Sequence, residues 1–340
     1  MSSNSRAVLL ALLAFALFAT HDVIVKILGV DYAAFQIVFF SVLFSFPVAA
    51  LLLLRDQTTG TLIPRHPWWV MARTGAAVIT GASAFYAFSV LPLAQTYAIL
   101  FASPLLITLL AIPILGEKVG IRRGIAVIVG LCGVFVVLRP GATDLGPGHL
   151  AAMICAISGS FASIVVRKIG REERSIVLIL YPLMANFILM GALMPVVYVP
   201  MPVEHLGLFF AVAALAMVAM LLLIAAYKAG EAAIVAPMQY SQILWATIFG
   251  LLFFGERPAW TTALGAAIII ASGLYIVLRE SRKGAETTAP VLRTRSRFET
   301  GTVPRVSDVM RVQGQTPPHA PPSGEPPAKP PSMRGLPGRG

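Results

Sequence analysis

The first apolar block of the sequence contains three ionisable side chains, His21, Asp22 and Lys26. Inside a membrane such groups are costly, and they usually face the protein interior or a water-filled cavity. Asp22 and Lys26 lie four residues apart, so on a helix they share a face and can pair. We therefore expect a substrate or coupling site here, with His21 or Asp22 able to take up a proton. The alternative is an ion pair near the membrane surface, with the Lys26 ammonium group extending toward water.

A later apolar block carries amide and aromatic side chains at helical spacing. Gln239 and Gln242 are three residues apart, Trp245 follows after three more, and Tyr240 lies between them. On a helix, residues three or four apart lie on the same face. Such a face suits a flat ligand that forms hydrogen bonds, so we expect it to bind substrate. The alternative is polar contact between helices, which is worth on average only about 0.6 kcal/mol.

Two earlier blocks add polar candidates to the same expected site. Gln95, Tyr97 and Ser103 lie in one block, next to Pro104. A proline inside a helix removes one backbone hydrogen bond and leaves a carbonyl group free. Tyr86, in the preceding block, could stack on a flat ligand, although ordinary aromatic packing is an equal alternative.

The elements that must position these residues are membrane-spanning helices. Of the 340 residues, 57% are hydrophobic and 12% are charged, against roughly 25% charged in a typical soluble domain. The apolar blocks are about 17–25 residues long, the length that crosses roughly 30 Å of hydrocarbon as a helix. The expected fold class is an all-α integral membrane protein with ten transmembrane helices. The spans are predicted near residues 7–28, 33–54, 69–91, 94–115, 120–138, 148–168, 175–198, 206–228, 231–254 and 259–279.

The distribution of lysine and arginine predicts the orientation. If the N-terminus is cytoplasmic, the segments on that side carry twelve such residues before the C-terminal tail, whereas the opposite side carries only Lys26, Arg139 and Arg257. Basic residues concentrate on the cytoplasmic side of membrane proteins. We therefore expect a bacterial inner (plasma) membrane protein with both termini in the cytoplasm. Residues 284–340, rich in Pro, Gly, Ser and Arg, are expected to form a disordered basic tail there.

The two halves of the sequence resemble each other. Three short motifs recur at nearly the same offset, residues 25–29 at 166–170, residues 116–118 at 255–257, and residues 137–139 at 277–279. Each predicted repeat, residues 1–140 and 147–280, holds five helices, and an odd number turns the second copy upside down in the membrane. Two inverted repeats around a midplane site are the architecture of secondary transporters. The sequence therefore predicts a carrier that works by alternating access.

Residues 7 to about 280 resemble the EamA branch of the drug/metabolite transporter superfamily, in the paired repeats and in the Gly-Glu-Lys and Gly-Glu-Arg turns. Residues 20–26 (Thr-His-Asp-Val-Ile-Val-Lys) and 85–98 are similar to a subgroup that includes proteobacterial riboflavin transporters and S-adenosylmethionine carriers. The resemblance implies secondary transport of a small metabolite, with riboflavin uptake as the leading expectation. A carrier or exporter of S-adenosylmethionine, amino acids or other metabolites is the alternative.

Other functional classes have less support in the sequence. It contains no Walker A motif, no zinc spacing and no nucleophile elbow, so we expect no enzyme activity, no cofactor and no metal. An intramembrane enzyme or a non-transporting multipass protein is the alternative of a different class. The net charge of +11 is ascribed to cytoplasmic segments rather than to nucleic-acid binding. The expected partners are a small-molecule substrate and the lipid bilayer. The sequence is also compatible with a homodimer.

Two further expectations concern turns and helix packing. Glu117 and Glu256 each precede a basic residue in a short turn, and we expect them to fix helix ends beside that residue rather than touch substrate. Gly120 and Gly124 are four residues apart, which favours close approach of two helices.

Overall fold

The computed structural model describes residues 3–55, 61–117, 119–140, 145–170, 172–230 and 232–282, and the expected tail at 284–340 lies outside this part of the chain. The regular elements of these residues are helices. They are α1 (Ser3–Leu28), α2 (Ala34–Arg55), α3 (Pro67–Val90), α4 (Leu93–Leu100), α5 (Ser103–Leu115), α6 (Ile121–Leu138), α7 (Pro147–Ile169), α8 (Ser175–Val197), α9 (Val203–Ala229), α10 (Ala232–Val235), α11 (Ser241–Phe254) and α12 (Trp260–Arg282).

These helices form ten rods, because two rods are interrupted. α4 and α5 together make the fourth rod, and α10, a 3-10 turn (Ala236–Tyr240) and α11 make the ninth. Within the described residues, six rods are long and apolar enough to cross a membrane, and α2 and α12 contain shorter apolar helices. The all-α membrane fold predicted from the sequence is confirmed, and the ten rods correspond to the ten predicted spans.

The break between α4 and α5 lies at the proline noted in the sequence. Pro104 has no N–H to donate to the carbonyl oxygen of Leu100, and the Ser103 hydroxyl donates to that oxygen instead, at 2.7 Å. In the second repeat, Pro237 lies in the 3-10 turn that separates α10 from α11. The fourth rod of each repeat is therefore broken by a proline-containing segment.

The turns that follow α5 and α11 have the same backbone conformation. Gly116 and Gly255 end these helices with φ values of +70° and +63°, which favour glycine. The N–H of the next residue then donates to the carbonyl six positions before it, at 3.3 Å for Glu117 and 2.9 Å for Glu256. The glycine in the left-handed conformation thus lets backbone N–H groups satisfy carbonyl groups that the helix leaves free. Its recurrence at the equivalent position of the second repeat shows the repeat in three dimensions.

The two repeats are interlocked and inverted. The first helix of each packs against the third helix of the other, α1 against α9 and α7 against α3. Gly148, at the start of α7, lies against Val90 and Leu91, and the Leu91 carbonyl accepts a hydrogen bond from Lys26. From this end of the bundle, α7 runs for 23 residues, about 34 Å, toward Arg167. We call the two ends the Lys26 end and the Arg167 end.

Close helix approach involves a different glycine pair from the one expected. A Cβ atom at Gly120 or Gly124 would meet no atom within 4 Å. A Cβ atom at Gly265 of α12 would lie 2.6 Å from the carbonyl oxygen of Gly133 in α6. The expectation for Gly120 and Gly124 is wrong, because α12 approaches α6 nearer the middle of that helix than at its first turn.

Candidate functional site

Asp22, Tyr97 and Gln242 form a hydrogen-bonded group in the bundle interior, which we call the polar core. The Tyr97 hydroxyl donates to Oδ2 of Asp22, and Nε2 of Gln242 donates to the Tyr97 hydroxyl at 3.1 Å. The residues are 1%, 0% and 2% exposed, respectively. Asp22 and Tyr97 belong to the first repeat and Gln242 to the second. The hydrogen bond between Gln242 and Tyr97 therefore crosses the interface between the repeats, and the group unites three residues that were predicted to share one site.

The helix breaks position two of these side chains. Tyr97 lies in the short helix α4, one turn before the first break, and Gln242 is the second residue of α11, directly after the 3-10 turn. Asp22 reaches them from α1, which is continuous and lies against α11. The polar core is thus formed where the interrupted rods of both repeats meet the first helix.

His21 extends the polar core on one side. Its Nδ1 atom lies 2.8 Å from Oδ1 of Asp22, and its ring makes an edge contact with Phe85 at 5.8 Å between centroids. An ionised carboxylate only accepts hydrogen bonds, so an ionised Asp22 requires the proton of His21 on Nδ1. Hydrogen bonds from both sides offset the cost of burying this carboxylate. Within the described residues, no group of three or more His, Cys, Asp or Glu could hold a metal ion.

Aromatic rings line the polar core and continue across the repeat interface. Tyr97 lies between Phe88 and Phe101, at centroid distances of 5.1 and 5.8 Å, and Phe101 contacts Tyr240 at 5.1 Å. Phe101 and Tyr240 occupy matching positions of the two repeats, separated in sequence by the same offset as Gly116 and Gly255. The Tyr240 hydroxyl lies against Gly273 of α12 and so points to that helix rather than to the polar core.

Lys26 does not pair with Asp22, contrary to the expectation from their spacing. Its Nζ atom lies 2.6 Å from Oε1 of Glu256, in the turn between α11 and α12, and it also donates to the Leu91 carbonyl. Oε2 of Glu256 accepts the backbone N–H of Leu93 at 2.9 Å. The predicted pair within α1 is replaced because Asp22 is bonded within the polar core, while Lys26 lies within reach of the other repeat.

An equivalent ion pair lies at the Arg167 end. Nη2 of Arg167 donates to Oε1 of Glu117, and these side chains are 7% and 11% exposed. The recurring motifs place Arg167 at the position of Lys26 and Glu256 at the position of Glu117, so the repeat relates the two pairs. The expectation that each glutamate acts beside the next basic residue missed these partners, which lie in the opposite repeat. Opposite charges at matching repeat positions were the signal that could have revealed them.

Three predicted site residues lie apart from the polar core. Nε2 of Gln95 lies 3.0 Å from Nε2 of His149, at the start of α7. The Ser103 hydroxyl is bonded within its own helix break. Tyr86 is 39% exposed and shares an outer face of α3 with Ile79. Their contact with a solute stays a prediction.

The residues of the amide and aromatic face expected over 239–245 lie in two different elements, the 3-10 turn and α11. Gln242 enters the polar core, whereas Gln239 lies in the 3-10 turn and is half-buried. Trp245 packs on Phe249 at 6.1 Å between centroids. Its Nε1 atom is buried and has no hydrogen-bond partner within the described residues. Gln239 and Trp245 therefore stay candidates for contact with a solute.

Inverted repeats with broken helices around a buried polar group define a class of membrane protein, the secondary transporters. A model of the EamA-like transporter family matches the chain twice, over residues 5–139 and 146–278. The chain belongs to the EamA-like transporter family. The family resemblance stated from the sequence is confirmed, and the chain is a multipass membrane transporter.

Curated relatives carry different solutes. The S-adenosylmethionine uptake transporter of Rickettsia bellii is 26% identical over 265 residues, which are 78% of this chain and 90% of the relative. The riboflavin transporter of Rhizobium johnstonii is 30% identical over 253 residues, 74% of this chain and 82% of the relative. The pseudopaline exporter CntI of Pseudomonas aeruginosa is 25% identical over 279 residues, 82% and 97% of the two chains. The relatives thus agree on transport and differ in the solute.

Proposed function

We propose that the chain is a secondary carrier that brings a small, flat, heterocyclic metabolite into the cell by alternating access, with riboflavin as the leading candidate. The observation that carries the proposal is the polar core, a hydrogen-bonded group shared by both repeats in an apolar interior. A solute bound there would contact both halves of the protein. Alternating access works by moving such halves around a central site.

Riboflavin suits the chemistry of this site. It presents a flat ring system whose edge carries hydrogen-bond donors and acceptors. The Gln242 amide and the Tyr97 hydroxyl offer both functions, and the rings of Phe88 and Phe101 lie beside Tyr97 as flat apolar surfaces. The similarity to the riboflavin transporter of Rhizobium johnstonii supports the same solute.

S-adenosylmethionine is the second candidate, and Asp22 is the observation that favours it. This solute carries a sulfonium cation and an ammonium group, and a carboxylate in a low-dielectric interior attracts a cation strongly. The adenine ring would then use the same aromatic surfaces as a flavin. The similarity to the S-adenosylmethionine uptake transporter of Rickettsia bellii supports this alternative.

The proposed orientation places the chain in the inner membrane with both termini in the cytoplasm. It rests on the excess of lysine and arginine on one side. The Lys26 end is then periplasmic and the Arg167 end cytoplasmic. Asp22 would lie nearer the periplasm, since it precedes the end of α1 by six residues, about 9 Å. His21 and Asp22 are the groups that would take up a coupling proton.

Uptake of radiolabelled riboflavin tests the proposal in a riboflavin-requiring bacterial host that lacks its own uptake system. The chain is expected to give saturable uptake and growth at low external riboflavin. Unlabelled riboflavin should compete and S-adenosylmethionine should not. Strong competition by S-adenosylmethionine, with direct uptake of that solute, would favour the second candidate. Uptake of neither solute, despite good membrane expression, would reject both.

A further inference from the structure

We propose that the ion pairs Lys26–Glu256 and Arg167–Glu117 are a matched pair of gates, each of which must break before the solute site opens at its end. The proposal rests on the carrier function proposed above. It assigns a role to four buried or half-buried charges that lie outside the polar core. It also explains why the charges are kept at matching positions of two otherwise divergent repeats.

The pair at the Lys26 end ties together three elements of the two repeats. Lys26 lies in the last turn of α1, and Glu256 lies in the turn after α11. The second carboxylate oxygen of Glu256 holds the N–H of Leu93, at the start of α4. The Lys26 ammonium group also lies 5.3 Å from the ring centroid of Phe254, at the end of α11. Separating α1 from the end of α11 and the turn after it would break the ion pair and the contact of Lys26 with Phe254.

The pair at the Arg167 end joins the equivalent elements, with the basic residue in the second repeat and the glutamate in the first. Arg167 lies in the last turn of α7, and Glu117 lies in the turn after α5. The neighbouring Lys168 donates to the carbonyl of Ile114 at 2.9 Å and lies 4.3 Å from the ring centroid of Trp69. In this structure both pairs are formed, one at each end of the bundle.

A second set of contacts also lies at equivalent positions of the two repeats. At the Lys26 end, the Tyr32 hydroxyl lies 2.6 Å from Nδ1 of His205, which joins the α1–α2 turn to the start of α9. At the Arg167 end, Nε2 of His66 lies 2.6 Å from Oε2 of Glu172, which joins the segment before α3 to the turn after α7. His66 and His205 occupy equivalent positions of the two repeats. Each end is therefore closed by one ion pair and one histidine contact, and both contacts cross between the repeats.

Alternating access requires the two ends to open one at a time. A largely buried ion pair stabilises the arrangement in which its partners touch, and removing one partner leaves an uncompensated charge in that arrangement. An open, hydrated vestibule solvates the remaining charge. Neutralising one member therefore shifts the population toward the state that is open at that end. The two pairs must act in opposite directions, because opening one end closes the other.

Access of a membrane-impermeant thiol reagent to a central cysteine measures this shift without any substrate. The reporter is Ser103→Cys, near the middle of the fourth rod, with Cys132→Ser and Cys155→Ser removing the native thiols. The rate of reaction with a charged methanethiosulfonate is measured from the periplasmic side of spheroplasts and from the cytoplasmic side of inverted vesicles. A fluorescent protein fused to the C-terminus identifies the cytoplasmic side independently.

Lys26→Gln and Glu256→Gln are each expected to raise the reaction rate at least fivefold from the side of the Lys26 end and to lower it from the other. Arg167→Gln and Glu117→Gln should do the reverse. The charge-reversed double variant Lys26→Glu with Glu256→Lys should bring the rates back toward wild type, because it restores the ion pair but not the bonds to Leu91 and Leu93.

Asp31→Asn and Arg65→Gln are matched controls, because they remove exposed charges at the two ends and neither side chain forms an ion pair within the described residues. Both should leave the rates unchanged. A variant that misfolds would raise access from both sides, and the charge reversal would not restore it. If substitutions in the two pairs changed the reaction rate from the same side of the membrane, or changed both sides equally, the gate proposal would be overturned even if solute uptake is observed. Opposite effects without uptake of either solute would support the gates and reject only the proposed solutes.

Discussion

At the two ends of the bundle, equivalent residues of the two repeats have the same chemistry, whereas at its centre they differ. At the ends, Lys26 corresponds to Arg167 and Glu117 to Glu256, so that charge type and pairing are both kept. At the centre the repeat equivalents differ in chemistry, with Ser163 for Asp22, Ala236 for Tyr97 and Ser103 for Gln242. The ion pairs at the two ends are thus related by the repeat symmetry, whereas the residues of the polar core are not.

This difference indicates two separate tasks. Closing the bundle requires the same kind of contact at either end, so equivalent ion pairs from the two inverted repeats are sufficient. A solute such as a flavin has no twofold symmetry, and a site that binds it in one orientation must present different groups from the two repeats. The asymmetry of the polar core is therefore evidence for recognition, and the symmetry of the ion pairs is evidence for gating.

The largest expected effect is that of Asp22→Asn on transport. The substitution removes the charge and turns the carboxylate into an amide, which disrupts the hydrogen bonds from Tyr97 and His21. Hydrogen bonds to charged groups contribute roughly 1.5–3 kcal/mol, so the initial uptake rate should fall about tenfold or more. Ser163→Ala changes the equivalent position and should reduce uptake less than about threefold. Comparable losses in both variants would remove the distinction between the two repeats at the centre.

Tyr97→Phe should have an intermediate effect on apparent affinity. It removes the hydroxyl that links Asp22 to Gln242 but keeps the ring between Phe88 and Phe101. Asp22 keeps its contact with His21 in this variant, so we expect a loss of only roughly 0.5–1.5 kcal/mol and a rise of about three- to tenfold in the KM for uptake. Concentration-dependent uptake at matched expression measures this. An unchanged KM would place the hydroxyl outside the solute site.

Equal effects are expected for alanine at the two symmetric turns. Gly116 and Gly255 both adopt a left-handed conformation with open space around the Cβ position, so the cost is one of backbone conformation only. Each substitution should reduce stability by about 1–2 kcal/mol, seen as a lower unfolding temperature of the purified protein. Gly75→Ala is the control, since Gly75 lies inside α3 with equal space and alanine is favoured there. A loss at only one of the two turns would contradict the symmetry of the ends.

Tyr240→Phe should have the smallest effect, although the sequence marks Tyr240 as a site residue. Its hydroxyl lies against Gly273, and the substitution makes the position equal to Phe101 in the other repeat. Uptake should stay within about twofold of wild type, as for most substitutions away from a specific interaction. A fivefold loss would show that solute reaches this hydroxyl and that the asymmetric region extends to α12.

Much of the architecture could be predicted from the sequence because it rests on periodic or recurring features. Apolar length sets the spans, and the repeated motifs at residues 116–118 and 255–257 mark the same helix end twice. The polar core was predicted in part for a related reason. Asp22 and Gln242 are conspicuous as polar groups in apolar blocks, where burial is costly unless partners are present.

The partners of charged residues could not be predicted from neighbours in sequence. Spacing suggested a pair between Asp22 and Lys26, but Lys26 binds Glu256, which lies far along the chain in the second repeat. The reason is topological, since the packing of α1 against the second repeat brings the end of α1 to the turn after α11. Helix breaks have a similar effect, because the 3-10 turn separates Gln239 from the helix that carries Gln242.

Solute counterflow in proteoliposomes is the most direct test of the central claim, that one asymmetric core serves a carrier with two symmetric gates. Vesicles loaded with unlabelled riboflavin are diluted into labelled riboflavin, and the exchange needs no gradient of a coupling ion. We expect transient accumulation of label by the wild-type protein, its loss in Asp22→Asn, and its retention in Ser163→Ala. Equal accumulation by wild type and Asp22→Asn would show that solute crosses the membrane without the charge of the polar core, and it would overturn the proposed role of that core.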